Sequence, residues 1–399
     1  MDPAALKGSW AQVARHGDAV PGYFYAVLFT AHSDLRAMFP MSMAAQRDRL
    51  VSALGQIVSN VDQLDAVVPF VQGLGRDHRR FDVRAEHYPQ VGEALLATLA
   101  HFLGEAWTPQ LAEEWTAAYQ LIAQVMVEAA EKAATSTPAY WTARVVHHER
   151  RGLDIAVLRL RPDLPYPYVA GQSCAVEIPD RPRLWRYYSP ASAPRLDGLI
   201  ELHIKAVPGG QVSTAIVHGL QPGDPVKLGA PVGQQLVLEP GASRDLLLLA
   251  GSTGLAPLKA LVEQVAAEGG RRQVTLFFGA RTEIDLYDLP ALASMARDLP
   301  WLTVVPALSH DPWYAGERGA VGDVAMRLGR WDDRYVYVCG SAAMTTATRE
   351  RLLAGGIPAE QIRCEDFSNE PYRPKAGGAV TDTVFRGRVV TEFEEVPTR

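Results

Sequence analysis

A chain of 399 residues is too long for one compact core and predicts two or three domains. Its formal net charge of -6, with 48% apolar and 21% charged residues, offers no basic surface for nucleic acid or an anionic membrane and no disorder-prone composition over most of its length. The three cysteines are scattered without a CxxC pair, the N-terminus lacks a cationic start followed by an apolar core, and no apolar run reaches membrane-spanning length, so a reducing, cytoplasmic setting is expected.

From Leu6 to about Glu131 apolar residues recur at helical spacing, as in Val20, Tyr23, Phe24, Val27 and Leu28. Turn and cap signals at Ser33-Asp34, Pro40, Pro69, Pro89 and Thr108-Pro109 divide this stretch into several helices with no strand among them. An all-α domain is therefore expected over residues 1–134. Thr135 to Pro138 reads as a short linker, and past Trp141 the period changes to two. Leu153 to Leu160 and Leu199 to Lys205 alternate as half-buried strands do. Closely spaced Gly and Pro make residues 139–240 a small antiparallel β-barrel. From Asp245 strand-like runs (Leu246 to Ala250, Gln273 to Gly279, Leu302 to Leu308, Tyr335 to Cys339) alternate with helical ones, predicting an α/β domain with a parallel sheet over residues 241–367. Residues 368–399 form a C-terminal extension without an assigned role.

Several short runs carry chemistry. In the helical third, Phe24-Tyr25, Leu35 to Met41, Gln46-Arg47, His78 and Glu86 to Glu93 follow one another. His78, His87 and His101 lie on candidate helices. Taken singly, each reads as well as a surface histidine, and Tyr25 as a core aromatic. In the barrel, Arg186-Tyr187-Tyr188-Ser189 combines a cation, rings and a hydroxyl, which suits a planar, phosphate-bearing ligand; a strand with an exposed Arg and packed tyrosines is the competing account. Alternation puts Arg186 and Tyr188 on one face. Gly210-Gln211-Val212-Ser213 presents backbone N–H groups to a phosphate. The first strand of the last third ends in Gly251-Ser252-Thr253-Gly254-Leu255-Ala256-Pro257, where glycines let the backbone approach a pyrophosphate at a helix N-terminus.

As an ordered set these runs resemble the flavohaemoglobins, in which a globin domain is fused to a ferredoxin-reductase-like module. The resemblance implies haem b, FAD and NADH or NADPH as cofactors. It makes His78 the iron ligand, puts Tyr25 and Gln46 on the gas-binding side, wedges Phe39 against the haem and assigns Tyr88 to orienting the proximal imidazole. It implies that Arg186 meets the FAD diphosphate, that Tyr188, with Tyr187 before it in the same cofactor-binding run, stacks on the isoalloxazine and that Ser189 reaches its redox-active edge. Lys205 and the Gly210 to Ser213 turn fall near the FAD phosphates. Gly251 to Pro257 matches the dinucleotide loop, Cys339-Gly340 borders the nicotinamide, and Phe367 covers the flavin. Cys339 also reads as a small buried residue at a strand end.

The pattern departs in three places. The acid on the last globin helix falls on Ala130, with Glu131 one residue along, about 100° of helix rotation away. Around Gly171-Gln172 the chain has Ala170 and Ser173 in place of a Pro and an aromatic, with Tyr168 the candidate substitute. Arg281 leaves NADPH open, although Gly279 to Tyr287 leans toward NADH.

The activity implied is nitric oxide dioxygenation, with electrons passing from NAD(P)H through FAD to haem and nitrate as product. Its partners are dioxygen, nitric oxide and a nicotinamide dinucleotide, and a monomer is expected. Two other readings stand beside it: a flavin-linked oxidoreductase of a small hydroxy acid with haem as electron acceptor, and a haem-based gas sensor or carrier.

Overall fold

The computed structural model describes residues 1–366 except Pro240 and Ala242. Phe367 and the extension 368–399 lie outside the described residues.

Six helices come first: α1 (Pro3–Ala14), α2 (Ala19–Ala31), α3 (Ala44–Ser59), α4 (Leu64–His78), α5 (His87–Leu103) and α6 (Pro109–Ala134). Local chemistry sets their ends. The Asp2 carboxylate accepts the N–H groups of Ala4 and Ala5 at the start of α1, and Thr108 Oγ1 accepts that of Leu111 at the start of α6. In each a proline occupies the first turn, where no amide donor is needed. Helix α4 crosses α6 so closely that a Cβ on Gly75 would lie 2.3 Å from the Met126 carbonyl oxygen. Two apolar clusters result, one around Trp10, Tyr25, Leu99 and Trp115, the other around Phe70, Val71 and Met126.

The barrel comprises β1 (Trp141–Arg150), β2 (Ile155–Pro162), β3 (Cys174–Glu177), β4 (Arg186–Tyr188), β5 (Ile200–Lys205), α7 (Gln211–Gly219) and β6 (Pro225–Leu228). Its antiparallel order is β4-β3-β6-β1-β2-β5, and an isolated bridge between Pro190 and Leu202 draws the two edge strands together. The strand expected from Leu153 begins at Ile155, because Leu153 sits in the exposed turn before it. Strand β5 is also not half-buried: Glu201 and His203 are covered as fully as Leu202 and Ile204. Its polar face packs on the parallel-sheet half, which sequence alternation could not foresee.

That half contains β7 (Leu246–Gly251), α8 (Leu255–Ala267), β8 (Val274–Ala280), α9 (Leu289–Asp298), β9 (Leu302–Leu308), β10 (Glu317–Arg318), α10 (Val321–Leu328), β11 (Tyr335–Gly340), α11 (Ala342–Ala354) and β12 (Ile362–Asp366). The parallel order β10-β9-β8-β7-β11-β12 puts the first strand inside the sheet, flanked by β8 and β11. The run Leu246 to Ala250 is accordingly buried on both faces.

Candidate functional site

A cleft of about 1970 Å³ runs from the C-terminal ends of the parallel strands, past the barrel, to Gly73, Arg76 and Asp77 on α4. Sequence-predicted residues from three separate segments line it. Arg186, Tyr187, Tyr188 and Ser189 form one wall, Lys205 with Gly210, Val212 and Ser213 a second, and Gly251, Ser252, Thr253, Ala256 and Pro257 a third.

The walls have the chemistry that a flavin adenine dinucleotide and a nicotinamide dinucleotide require. Strand β4 is short and pairs only with β3, so all three of its residues stay partly exposed to the cleft. Burial raises the Tyr188 phenol well above its ordinary value, which keeps the ring neutral for stacking. Helix α7 starts at Gly210 with no side-chain cap, leaving its first-turn amides for a ligand anion. A Cβ on Gly210 would lie 2.5 Å from Ser213 Oγ and 2.6 Å from Val207 Cγ2, so a side chain there would displace its neighbours in the turn. Lys205 keeps an ion pair with Asp154 at 3.2 Å on the cleft wall.

The dinucleotide loop is built on the same logic. Ser252 sits at φ 52°, a left-handed turn that aims the loop from β7 into α8. Gly254, Cys339 and Gly340 lie behind the lining and not in it. A Cβ on Gly254 would stand 2.2 Å from the Cys339 carbonyl oxygen, so the glycine allows β7 and β11 to close behind the loop. Cys339 is buried and its thiol is pushed well up by that burial and by Glu365, so it is a packing residue in this structure. Gln211, exposed on α7, is also outside the lining.

Sequence reasoning gave no role to two cleft residues, Ser173 and Glu365. Ser173, the replacement for an aromatic, bridges Ser189 Oγ at 2.9 Å and Glu365 Oε1 at 3.3 Å. Burial, with Asp366 beside it, raises the Glu365 carboxyl to about 7 against a hydrogen bond from Ser173. Tyr168, considered as a stand-in aromatic, is instead buried in the barrel with its hydroxyl on the Ser192 carbonyl.

In the helical part, His78 ends α4. Its Nδ1 meets the Leu74 carbonyl oxygen at 2.7 Å, and no hydrogen bond to its Nε2 is found among the described residues. Burial lowers its pKa, which favours the neutral imidazole that ligates a metal. In the two helical clusters Phe39, Leu54, Leu74 and Ile122 are only partly buried, which leaves apolar surface that a flat apolar group could cover. Tyr25 is buried, packed edge-on to Phe39 at 5.5 Å. Burial pushes its hydroxyl up to about 12, against the pull of a hydrogen bond with Gln46. The Tyr88 hydroxyl makes no hydrogen bond among the described residues, and the partner found for the His78 ring is the Leu74 carbonyl. Glu131 is exposed and Ala130 partly buried, so no acid from the end of α6 reaches His78. His87 Nδ1 accepts the Arg84 N–H, and His101 stacks on Tyr23 at the surface.

A helical unit with a metal-ready histidine, followed by a flavin barrel and a nicotinamide sheet, defines a haem-containing NAD(P)H oxidoreductase. Comparison with known proteins agrees. The Globin profile matches residues 22–126, the Oxidoreductase FAD-binding domain residues 142–236, and the Oxidoreductase NAD-binding domain residues 248–350. A Flavohemoprotein of Bacillus subtilis (strain 168) is 28% identical over 391 residues, covering 91% of this chain and 95% of its own. The reductase component of phenol 2-monooxygenase from Pseudomonas sp. (strain CF600) is 33% identical over 215 residues, covering 53% of this chain and 60% of its own. Among solved structures, a flavohemoglobin from Malassezia yamatoensis with bound FAD and heme shares the fold with a TM-score of 0.73 at 21% identity, over 92% of this chain and 98% of that one. The chain belongs to the flavohaemoglobin family, with haem, FAD and a nicotinamide dinucleotide as its cofactors. No helix among the described residues is long and apolar enough to cross a membrane.

Proposed function

We propose that this flavohaemoglobin is a nitric oxide dioxygenase, using NAD(P)H to convert nitric oxide and dioxygen to nitrate. The observation that carries the reading is the fixed ring of His78, held through Nδ1 by Leu74 with Nε2 free, on a helix that borders the flavin cleft. FAD accepts a hydride and releases electrons singly, and haem iron takes single electrons and binds dioxygen.

The chain's own groups have these tasks. The amides of the Gly251 to Pro257 loop bind the dinucleotide pyrophosphate at the start of α8. Arg186 and the first turn of α7 hold the FAD diphosphate, and Tyr188 supports the isoalloxazine. Ser189, tied through Ser173 to Glu365, supplies a hydroxyl at the redox-active edge. The Tyr25 hydroxyl stays protonated at neutral pH and, with Gln46 orienting it, would donate a hydrogen bond to a gas held beside it. Phe39 and Tyr25 pack together and keep water from that side.

The test compares wild type with His78→Ala, each supplied with haem, FAD and NADH under air. The variant loses the Soret band of ligated haem and at least ~100-fold of its nitric oxide consumption, while flavin reduction by NADH survives. Equal loss of both steps, or nitric oxide consumption that survives the substitution, refutes the assignment.

A further inference from the structure

Between the end of α4 and β4 lies a partly buried polar junction that the proposed function does not use. Tyr187 Oη donates to Asp77 Oδ2 at 3.1 Å and accepts from Arg80 Nη1 and Nη2, both at 3.1 Å. Asp77 in turn lies 3.6 Å from Arg80. Asp77 is the residue before His78, and Tyr187 stands between Arg186 and Tyr188. One bond from the last turn of α4 and two from the Arg79–Phe81 turn that follows it therefore join the end of the iron-ligand helix to the strand that carries the flavin site.

The Arg80 guanidinium is caged as well as bonded. It lies over the rings of Phe81, Trp185 and Tyr187, 5.1 to 5.5 Å from their centroids. Its tip crosses into the barrel above Gly229, where an added Cβ would be 3.2 Å from Nη1. Burial lowers its affinity for a proton, but Asp77 and Tyr187 more than restore it, so a full positive charge sits at the junction. A buried, paired, ring-stacked arginine is a costly arrangement that holds one geometry well. The bond from Arg183 to Asp82 across the same boundary is exposed.

We propose that Asp77, Arg80 and Tyr187 form a clasp that positions the His78 helix against the flavin strand and so governs delivery of electrons from flavin to haem. The three are positioning residues. The step they serve moves one electron at a time from reduced flavin to ferric iron, and no clasp side chain gains or loses an electron or a proton. Burial, which pushes the Tyr187 hydroxyl up to about 12, keeps that proton in place. The inference rests on the proposed function only for the direction of electron flow.

The test uses the full-length, cofactor-loaded protein with Tyr187→Phe, Asp77→Ala, the double variant and Asp77→Asn. Amide hydrogen exchange over residues 74–83 rises about tenfold in Tyr187→Phe, as loss of a hydrogen bond to a charged group predicts. In stopped flow the ratio of the haem-reduction rate to the flavin-reduction rate falls by about the same factor. The double variant is no worse than the single ones, because the residues act as a unit. Asp77→Asn, which keeps an acceptor for the Tyr187 hydroxyl, recovers most of the ratio. Unchanged exchange and an unchanged ratio in Tyr187→Phe overturn the clasp, and so does a rise in exchange spread over the whole chain with the ratio intact. Wild type that fails to consume nitric oxide while the ratio still shifts in Tyr187→Phe refutes the proposed function and leaves the clasp standing.

Discussion

The Ser173 hydroxyl lies 3.3 Å from Oε1 of Glu365 and ties the flavin barrel to the last strand of the parallel sheet. The carboxyl at the end of this tie has a pKa of about 7, raised by burial. A carboxyl whose folded pKa exceeds its unfolded one costs nothing at low pH, where both states are protonated. As pH rises from about 4.5 toward 7 the unfolded state loses its proton first, and stability falls across that window. Thermal unfolding of the full chain should therefore show a decline between those limits that Glu365→Gln flattens, by a difference on the order of 1–3 kcal/mol at pH 8. Parallel pH curves for the two proteins would remove the basis for this assignment.

Tyr25→Phe removes a single hydroxyl from a packed aromatic group without opening a cavity. Haem content and the unfolding midpoint should stay near wild type. Nitric oxide consumption should drop by roughly 10- to 100-fold, the worth of one hydrogen bond to a charged acceptor. A drop in haem content of the same size would show that the tyrosine is structural only.

Gly254→Ala introduces a methyl where the Cys339 carbonyl oxygen is 2.2 Å away, and both atoms belong to parts that cannot swing aside. The loop must shift off β11, at a cost of about 1–3 kcal/mol in stability. The KM for NADH should rise while the haem spectrum is untouched, read by steady-state flavin reduction alongside the visible spectrum.

Lys259 on α8 lies 2.8 Å from Glu201 of the barrel and 3.2 Å from Glu263. Glu201 also faces His203 at 3.1 Å and Arg159 at 3.0 Å. Burial would raise the Glu201 carboxyl, but His203 and Lys259 outweigh it and hold it far below the carboxylate range. Its contribution is present above the unfolded carboxylate pKa and is lost as pH falls through the folded one. Lys259→Ala leaves a buried acid short of its buried ammonium partner, and urea unfolding at neutral pH should show a loss of about 3–5 kcal/mol.

Much of the architecture was legible from periodicity, since the change from helical to alternating spacing near Trp141 coincides with the start of β1. Glycine loops were equally legible, because a tight turn or a close backbone approach leaves a mark in the residue itself. Gly254 shows the limit of such a mark: it fell in the right loop, yet it serves the packing behind the cleft. Long-range polar partners left no mark at all. Nothing local to Arg80 announces that it will sit on Tyr187, more than a hundred positions away, and Glu201 looked like the solvent side of a half-buried strand until α8 covered it. Ser173 was visible only as a departure from an expected aromatic, and its function as a bridge needed Glu365 from the far end of the chain.

The passage of Arg80 over Gly229 limits how freely the two halves can be recombined. A chimera that grafted an unrelated oxygen-binding head onto this reductase would leave the Tyr187 phenol dangling beside an empty notch. Conversely, this head on a reductase with a side chain in place of Gly229 would press on the guanidinium, whose Nη1 lies 3.2 Å from an added Cβ, and force it to shift. Shuffling at the Thr135 to Pro138 linker therefore carries the arginine, the acid and the glycine as one inheritance, even though they belong to different segments.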